Sequence, residues 1–238
     1  STIRSRVLIN ASGPWVGHVI SDRIAISSTS RIRLVKGSHI IVPRMFDHDR
    51  AYIFQNPDRR IIFAIPYEHD FTLVGTTDLD YSGRPEDVIA DDEEVAYLCD
   101  AIGEYFSKPI SPEDVVWSYS GVRPLYDDGS SEAQEATRDF VLELDGDQEN
   151  AVVLNIFGGK ITTYRRLAEE VLGKLKPWLP MMKQSWTSGA VLPGGDFPID
   201  GLSALKETLE KKYAALPSEL IDRLIRTYGT RTTTLLGE

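Results

Sequence analysis

Apolar positions along the chain change period several times, and each change predicts an element. Residues 6–10, Arg6-Val7-Leu8-Ile9-Asn10, form a short apolar run of the kind a buried strand shows. It leads into Asn10-Ala11-Ser12-Gly13-Pro14-Trp15, where small residues and a Gly-Pro turn predict close backbone packing or a ligand at the strand's end. Residues 31–43 predict a second strand region, broken near Lys36-Gly37 and resuming at His39-Ile40-Ile41-Val42 before Pro43. Three β-rich runs follow at 51–55, 60–66 and 71–76, with Asn56-Pro57-Asp58 as the turn between the first two; they read as an antiparallel meander.

The period then becomes helical over 91–106, with Val95, Leu98, Ile102 and Phe106 on one stripe and Asp91 or Asp92 as the N-cap. Acids crowd that helix's first turn, where the helix dipole favours them. A strand over 114–120 ends in Ser118-Tyr119-Ser120-Gly121-Val122-Arg123-Pro124, and two more, 139–144 and 151–157, flank an acidic loop around Asp145-Gly146-Asp147. The sharpest local pattern is strand, then Gly158-Gly159-Lys160, then a helix with Ile161, Tyr164, Leu167, Val171 and Leu175 at helical spacing, ended by Trp178 between prolines. A Pro/Gly loop at 193–200 precedes helical patterns at 202–215 and 217–228.

Composition narrows the function classes. With 42% hydrophobic and 26% charged residues in 238, the chain reads as a globular protein. A net charge of −10 argues against nucleic acid as a partner but leaves room for a local basic pocket. The single cysteine, Cys99, excludes an internal disulfide and falls in the amphipathic helix as a core residue. No run approaches the roughly 20 apolar residues of a membrane-spanning helix. The acid-rich stretch 78–94 reads as a solvated face with a helix cap, and His18, His48 and His69 lack metal-ligand spacing, so no metal is expected. The chain opens on Ser1, enters a strand almost at once, and reaches Glu238 without a clear stop; the expectation is a piece cut from a longer protein.

Candidate chemistry concentrates at a few places. The Gly158-Gly159-Lys160 turn, with Thr162 and Thr163, puts free N–H groups, a helix dipole and one full charge where an anion or a ring edge that becomes anionic would sit; a tight β–α turn with a surface lysine is the other reading. Arg123, just past a strand end and held between Gly121 and Pro124, presents a rigid donor fork suited to phosphate or carboxylate, or a salt bridge to a nearby acid. Arg138 has the same two readings, with Asp139 adjacent as a partner. His39, alone in its strand, is structural or catalytic. No Gly-x-Ser-x-Gly elbow is present.

Four segments resemble one family in order and spacing: Ile9-Asn10-Ala11-Ser12-Gly13-Pro14-Trp15; Arg33-Leu34-Val35-Lys36-Gly37-Ser38-His39-Ile40-Ile41-Val42-Pro43; Tyr119-Ser120-Gly121-Val122-Arg123-Pro124-Leu125; and Phe157-Gly158-Gly159-Lys160-Ile161-Thr162-Thr163-Tyr164-Arg165. They are similar to the bacterial aerobic FAD-dependent glycerol-3-phosphate dehydrogenases, of the D-amino-acid-oxidase-type flavoprotein superfamily. Gly75-Thr76-Thr77-Asp78 and Ala190-Val191-Leu192-Pro193-Gly194-Gly195 share the likeness, which covers nearly the whole chain. One departure is large: the family's N-terminal Gly-x-Gly-x-x-Gly unit, which holds the FAD pyrophosphate, has no counterpart here, nor does an early phosphate-binding arginine.

The resemblance implies a fold class of α/β plus α+β: a partial FAD/NAD(P)-binding-type domain, a substrate (cap) domain with an antiparallel or mixed sheet, and the start of a helical C-terminal domain. It implies residues 1–20 as the end of the FAD-binding domain, 21–118 as the substrate domain, 119–178 as the return to the FAD-binding domain, and 179–238 as the helical region. It implies hydride transfer from C2 of sn-glycerol 3-phosphate to FAD, with quinone as electron acceptor, peripheral association with the cytoplasmic face of the inner membrane, and a homodimer. Arg123 would bind the substrate's phosphate; His39, Lys160 and Arg138 would line the reacting end, with the proton acceptor among them open. Ala11, Gly13, Trp15, Gly158, Gly159, Lys160, Thr162 and Thr163 would contact FAD, the helix start facing the flavin edge where negative charge grows on reduction. Three alternatives stand beside this: an oxidase passing electrons to oxygen, a relative oxidising a 2-hydroxy acid or amine, and an inactive substrate-domain piece.

The missing phosphate loop generates a prediction. Each charge-assisted hydrogen bond is worth roughly 1.5–3 kcal/mol, and about 4 kcal/mol already weakens binding roughly a thousandfold. This 238-residue chain is expected not to retain FAD. Equilibrium dialysis reads the outcome directly, and micromolar or tighter binding would show that the absent loop matters little.

Overall fold

A computed structural model describes residues 4–24, 31–127, 129, 138–146 and 152–237. The chain divides into two compact units, Ser1–Met182 and Lys183–Glu238. Among the described residues the first unit holds nine strands in two sheets and three α-helices, in the order β1 (Val7–Asn10), α1 (Val16–Val19), β2 (Ile32–Pro43), β3 (Tyr52–Gln55), β4 (Ile61–Tyr67), β5 (Phe71–Gly75), β6 (Leu79–Asp80), α2 (Asp92–Gly103), β7 (Trp117–Tyr126), β8 (Phe140–Asp145), β9 (Val152–Gly158) and α3 (Tyr164–Leu175).

The larger sheet is antiparallel throughout, in the order β3-β4-β5-β2-β6, with β7 on the other edge of β2. The expected meander is present as β3, β4 and β5. Side chains alternate across each strand, so the register sorts them into two faces. Ile40, Val42, Val74, Ile62 and Ala64 lie on one face and pack against Leu98, Cys99, Ala101 and Ile102 of α2, with Tyr52, Phe54, Val95 and Phe106 at the edges. Fully burying side chains of this size contributes roughly 1.5–3 kcal/mol each, which makes this the principal core. Helix α2 begins with a full capping box: the Asp91 side chain accepts from the Glu94 N–H, and the Asp91 N–H donates back to Glu94.

Two sequence expectations change here. The predicted break at Lys36-Gly37 is absent; β2 runs unbroken because Lys36 is paired on both edges, with Leu79 and Val122, and Gly37 on one, with Gly121. Strand β7 likewise continues to Tyr126, so Arg123 lies within a strand and opposite Val35 rather than past a strand's end. Position 118/119, the expected domain boundary, lies within β7.

The smaller sheet is mixed, in the order β1-β9-β8: β1 is parallel to β9, and β8 is antiparallel to it. Val152, Leu154, Val171 and Leu175 form its core against α3, with Trp178 packed at the helix's end. Between β1 and β9 sits a buried amide pair, with Asn10 Nδ2 donating to Asn155 Oδ1 at 2.9 Å and to the Val16 carbonyl at 3.2 Å. Every polar atom there needs a partner, so this pair holds the register of the two parallel strands.

The second unit contains α4 (Leu202–Lys212), α5 (Ser218–Tyr228) and α6 (Thr232–Leu236) around Leu209, Ile221 and Ile225. The division at Met182/Lys183 lies slightly beyond the expected start at 179. Among the described residues no helix is long and apolar enough to cross a membrane.

Cys99 is a core residue, as its place on the helix implied. Burial, and then the nearby Asp100, Asp114 and Glu113 charges, push its thiol up to about 11. The thiolate, the reactive form, is then a minute fraction near neutral pH. A thiol reagent at about pH 8 should leave the native protein unlabelled and label one site per chain after denaturation; rapid labelling of the folded protein would show that α2 opens far more readily than its packing implies.

Candidate functional site

The second face of the larger sheet, away from α2, carries the site. Val35, Gly37, His39 and Ile41 of β2 lie opposite Arg123, Gly121, Tyr119 and Trp117 of β7 in the same ladder, so these side chains share a face. The imidazole of His39 stacks on the Tyr119 ring, with centroids 5.0 Å apart and planes 6° from parallel. It lies over Gly75, where a Cβ would come within 2.7 Å of His39 Cγ. The Arg123 guanidinium lies in the same way over Gly37, where a Cβ would sit 2.7 Å from Cζ. Two glycines on this face thus let two candidate site side chains lie flat against the sheet.

Arg123 is held at its head by the connection between β5 and β6. Its Nη1 donates to Asp78 Oδ1 at 2.7 Å and to the Thr77 carbonyl at 3.5 Å, and its Nη2 donates to Thr76 Oγ1 at 3.0 Å. Arg138 reaches the other oxygen of Asp78 at 3.5 Å. One carboxylate, 12% exposed, therefore stands between two guanidinium groups, and the three side chains together carry a net positive charge. Burial pulls the Arg123 pKa down, Asp78 opposes this, and Arg138 adds to it; the guanidinium stays charged regardless. Burial, then the Arg123 charge, holds His39 below the ordinary imidazole range. His39 Nδ1 is buried without a hydrogen-bond partner among the described residues.

The partners of Arg123 and Arg138 correct the sequence reading of the acidic stretch 78–94. That stretch is not uniformly a solvated face: Asp78 is tied to the two arginines, and Glu94 is 3% exposed beneath the sheet. The balancing bases come from β2, β7 and the residues just before β8, distant in sequence, which is why local composition hid them. No cluster able to hold a metal occurs among the described residues.

The cofactor candidates converge at one end of the smaller sheet. Because β1 and β9 are parallel, Ala11, Gly13 and Trp15 leave the same end of the pair as Gly158, Gly159, Lys160, Thr162 and Thr163. Carboxyl ends of parallel strands are where ligands bind in open α/β sheets. Gly158 and Gly159 take φ of +68° and +97°, a region costly for other residues, and a Cβ on Gly158 would press on the Asp139 carbonyl at 2.9 Å. Gly13, at φ +57°, faces open space, so a ligand can approach its backbone. The helix there opens with a single 3-10 turn, Ile161–Thr163, before α3, and Thr163 spends its hydroxyl hydrogen on the Lys160 carbonyl at 3.0 Å. Trp15 donates its Nε1–H to Glu86 at 3.2 Å. Lys160 and Thr162 are exposed. The two clusters meet at the Gly158 turn, where the added Cβ would also lie 3.6 Å from the Pro124 carbonyl of β7.

Thr76, Asp78 and Tyr119 are site residues that sequence reasoning named only within longer runs. The signal was the two-residue spacing of Tyr119, Gly121 and Arg123 against Val35, Gly37 and His39, which puts all of them on one face once the strands pair.

The chain is similar to known proteins along nearly its whole length. The chain is 46% identical over 235 residues to a glycerol-3-phosphate dehydrogenase of Pseudomonas aeruginosa, covering 99% of this chain and 46% of that protein. It is 47% identical over 231 residues to D-erythritol 1-phosphate dehydrogenase of Brucella abortus, covering 97% and 46%. The X-ray structure of the glycerol-3-phosphate dehydrogenase from Bacillus halodurans complexed with FAD superposes with a TM-score of 0.82 at 27% identity, over 99% of this chain and 45% of that one. The chain thus spans about half the length of the curated relatives it matches. The sequence profile of the FAD dependent oxidoreductase family (DAO) matches residues 1–165, and the chain belongs to that family.

Proposed function

We propose that the protein to which this chain belongs oxidises sn-glycerol 3-phosphate to dihydroxyacetone phosphate in an FAD-dependent reaction. The observation that carries the reading is the net-positive Arg123–Asp78–Arg138 cluster on the same sheet face as a neutral, half-buried His39. A phosphomonoester needs a donor fork and positive charge, and Arg123 has donors left beyond those spent on Asp78, Thr76 and Thr77. His39 is uncharged near neutral pH and so is the group to take the proton from the secondary hydroxyl. Arg138 neutralises Asp78 and keeps it from repelling the phosphate.

FAD, when bound, supplies the hydride acceptor. The residues to hold it are Ala11, Gly13 and Trp15 from one loop and Gly158, Gly159, Lys160, Thr162 and Thr163 from the other. Their fit rests on the open backbone at Gly13 and the positive φ angles at Gly158 and Gly159. In this reading the smaller sheet belongs to the FAD-binding domain and the larger sheet to the substrate domain. Delivery of electrons to quinone, peripheral attachment at the cytoplasmic face of the inner membrane, and a homodimer belong to the same proposal.

A second reading, D-erythritol 1-phosphate as substrate, is favoured by the 47% identity to the Brucella abortus dehydrogenase. Both compounds carry a secondary alcohol beside a phosphorylated carbon, which is the unit that Arg123 and His39 would read. Anaerobic reduction of the flavin by each compound in the FAD-loaded protein decides between them, and reduction by neither removes the proposal. Replacing dissolved oxygen by a quinone analogue, with peroxide measured alongside, separates dehydrogenase from oxidase.

Two outcomes are expected at single residues. Arg123→Lys should raise KM about tenfold or more, because a point charge does not reproduce the bidentate fork; unchanged KM and kcat would exclude the phosphate role. For His39 the folded pKa is lowered, so the unfolded chain binds its proton more readily. Its contribution to stability is whole above the unfolded value of about 6.5 and is lost as pH falls through the folded one. Denaturant unfolding between about pH 7.5 and 5.5 should therefore show a steeper acid loss for the native protein than for His39→Gln. Parallel curves would mean that His39 is not held neutral.

A further inference from the structure

Glu94 lies on the face of the sheet opposite Arg123, yet its hydrogen bonds lead to Arg123 through the β5–β6 connection. Glu94 is 3% exposed, and both of its oxygens are engaged. Oε2 accepts from Lys36 Nζ at 2.6 Å and from the Asp91 N–H at 3.3 Å. Oε1 accepts from the Thr77 hydroxyl at 2.6 Å and from the Ser38 hydroxyl at 2.8 Å. Since Ser38 gives its hydrogen to Glu94, the Ser120 hydroxyl 2.6 Å away is the donor in that contact, which ties β7 into the same network.

Thr77 is the hinge of the arrangement. Strand β2 is paired with β5 from His39 onward and with β6 at Val35 and Lys36, so Ser38 faces the gap between them. The Thr77 hydroxyl fills that gap by accepting the Ser38 N–H at 2.9 Å while donating to Glu94. Its neighbours then point to the other face: Thr76 Oγ1, the Thr77 carbonyl and Asp78 Oδ1 all accept from Arg123. The Thr76 hydroxyl donates to the Thr77 carbonyl at 3.0 Å, so it meets Arg123 with a lone pair.

We propose that Glu94, acting through Thr77, is a positioning residue for substrate: the buried carboxylate pins residues 76–78 so that their three oxygens aim the Arg123 fork. This rests on the reading of Arg123 as the phosphate-binding side chain. It assigns a role to a charge that neither touches the site nor faces it. A buried carboxylate with four donors has its desolvation offset locally, so the network holds one geometry rather than several.

The test uses Thr77→Val, which keeps the shape and removes the hydroxyl, Thr77→Ser, which restores it, and Glu94→Gln. Each is measured in the FAD-loaded protein with sn-glycerol 3-phosphate, and phosphate affinity is read separately by calorimetry with inorganic phosphate. Thr77→Val and Glu94→Gln should raise KM roughly tenfold and weaken phosphate binding in parallel, with kcat changed by about twofold or less, and Thr77→Ser should recover both. A lower Tm with KM and phosphate affinity unchanged in whichever of Thr77→Val and Glu94→Gln folds would overturn the inference and leave the network purely structural. Arg123→Lys run alongside keeps the two readings apart. If it too leaves KM unchanged, the phosphate assignment fails; if it alone raises KM, only the positioning role fails.

Discussion

The ladder between β2 and β7 is a constraint with two consequences at once. Core and site residues alternate along β2, so Ile40 and Val42 enter the core against α2 while His39 faces the site. A one-residue slip would exchange the two sets, burying an imidazole among Leu98 and Ile102 and exposing Ile40. The apolar face therefore does more than stabilise the sheet. It sets the register that brings His39 beside Tyr119 and Arg123 above Gly37.

Glycine makes that register usable. Gly37 and Gly75 cost the strands packing and backbone entropy, and each lies beneath a candidate site side chain, Arg123 or His39. A residue with a Cβ at either place would lift the imidazole or the guanidinium away from the sheet. The polar network below follows the same logic from the other side. Lys36, Glu94, Thr77 and Ser38 are buried, and each has its donors and acceptors engaged. A buried network satisfied in this way opposes alternative arrangements, because any shift would leave a desolvated group alone.

The smaller sheet obeys a different constraint. Parallel pairing of β1 with β9 joins residues far apart in sequence, and the buried Asn10–Asn155 pair fixes their alignment. Two glycine-bearing turns then leave the same end of the sheet. Positive φ at Gly13, Gly158 and Gly159 keeps those turns tight. The elements on either side are rigid, so the loops between them are placed by strands and helices rather than by their own preferences.

Much of this was legible in the chain. Period-two and helical spacing marked the meander, the capped helix at Asp91 and the strand–glycine–helix element, because those patterns depend on neighbours only a few residues away. The runs around His39, Arg123 and Gly158 carried the family likeness. What composition misread was whatever depended on a distant partner. Lys36-Gly37 looked like a break because neither residue favours a strand alone, whereas pairing of both with β7, and of Lys36 with β6 as well, carries the strand through. Asp78 and Glu94 looked like surface acids because their cationic partners, Arg123, Arg138 and Lys36, come from distant parts of the chain. Local sequence determined which segments become strands and helices. Only the tertiary structure decided which charges meet, because in a sheet the partner of a buried carboxylate is set by strand order and register, which no short stretch of chain contains.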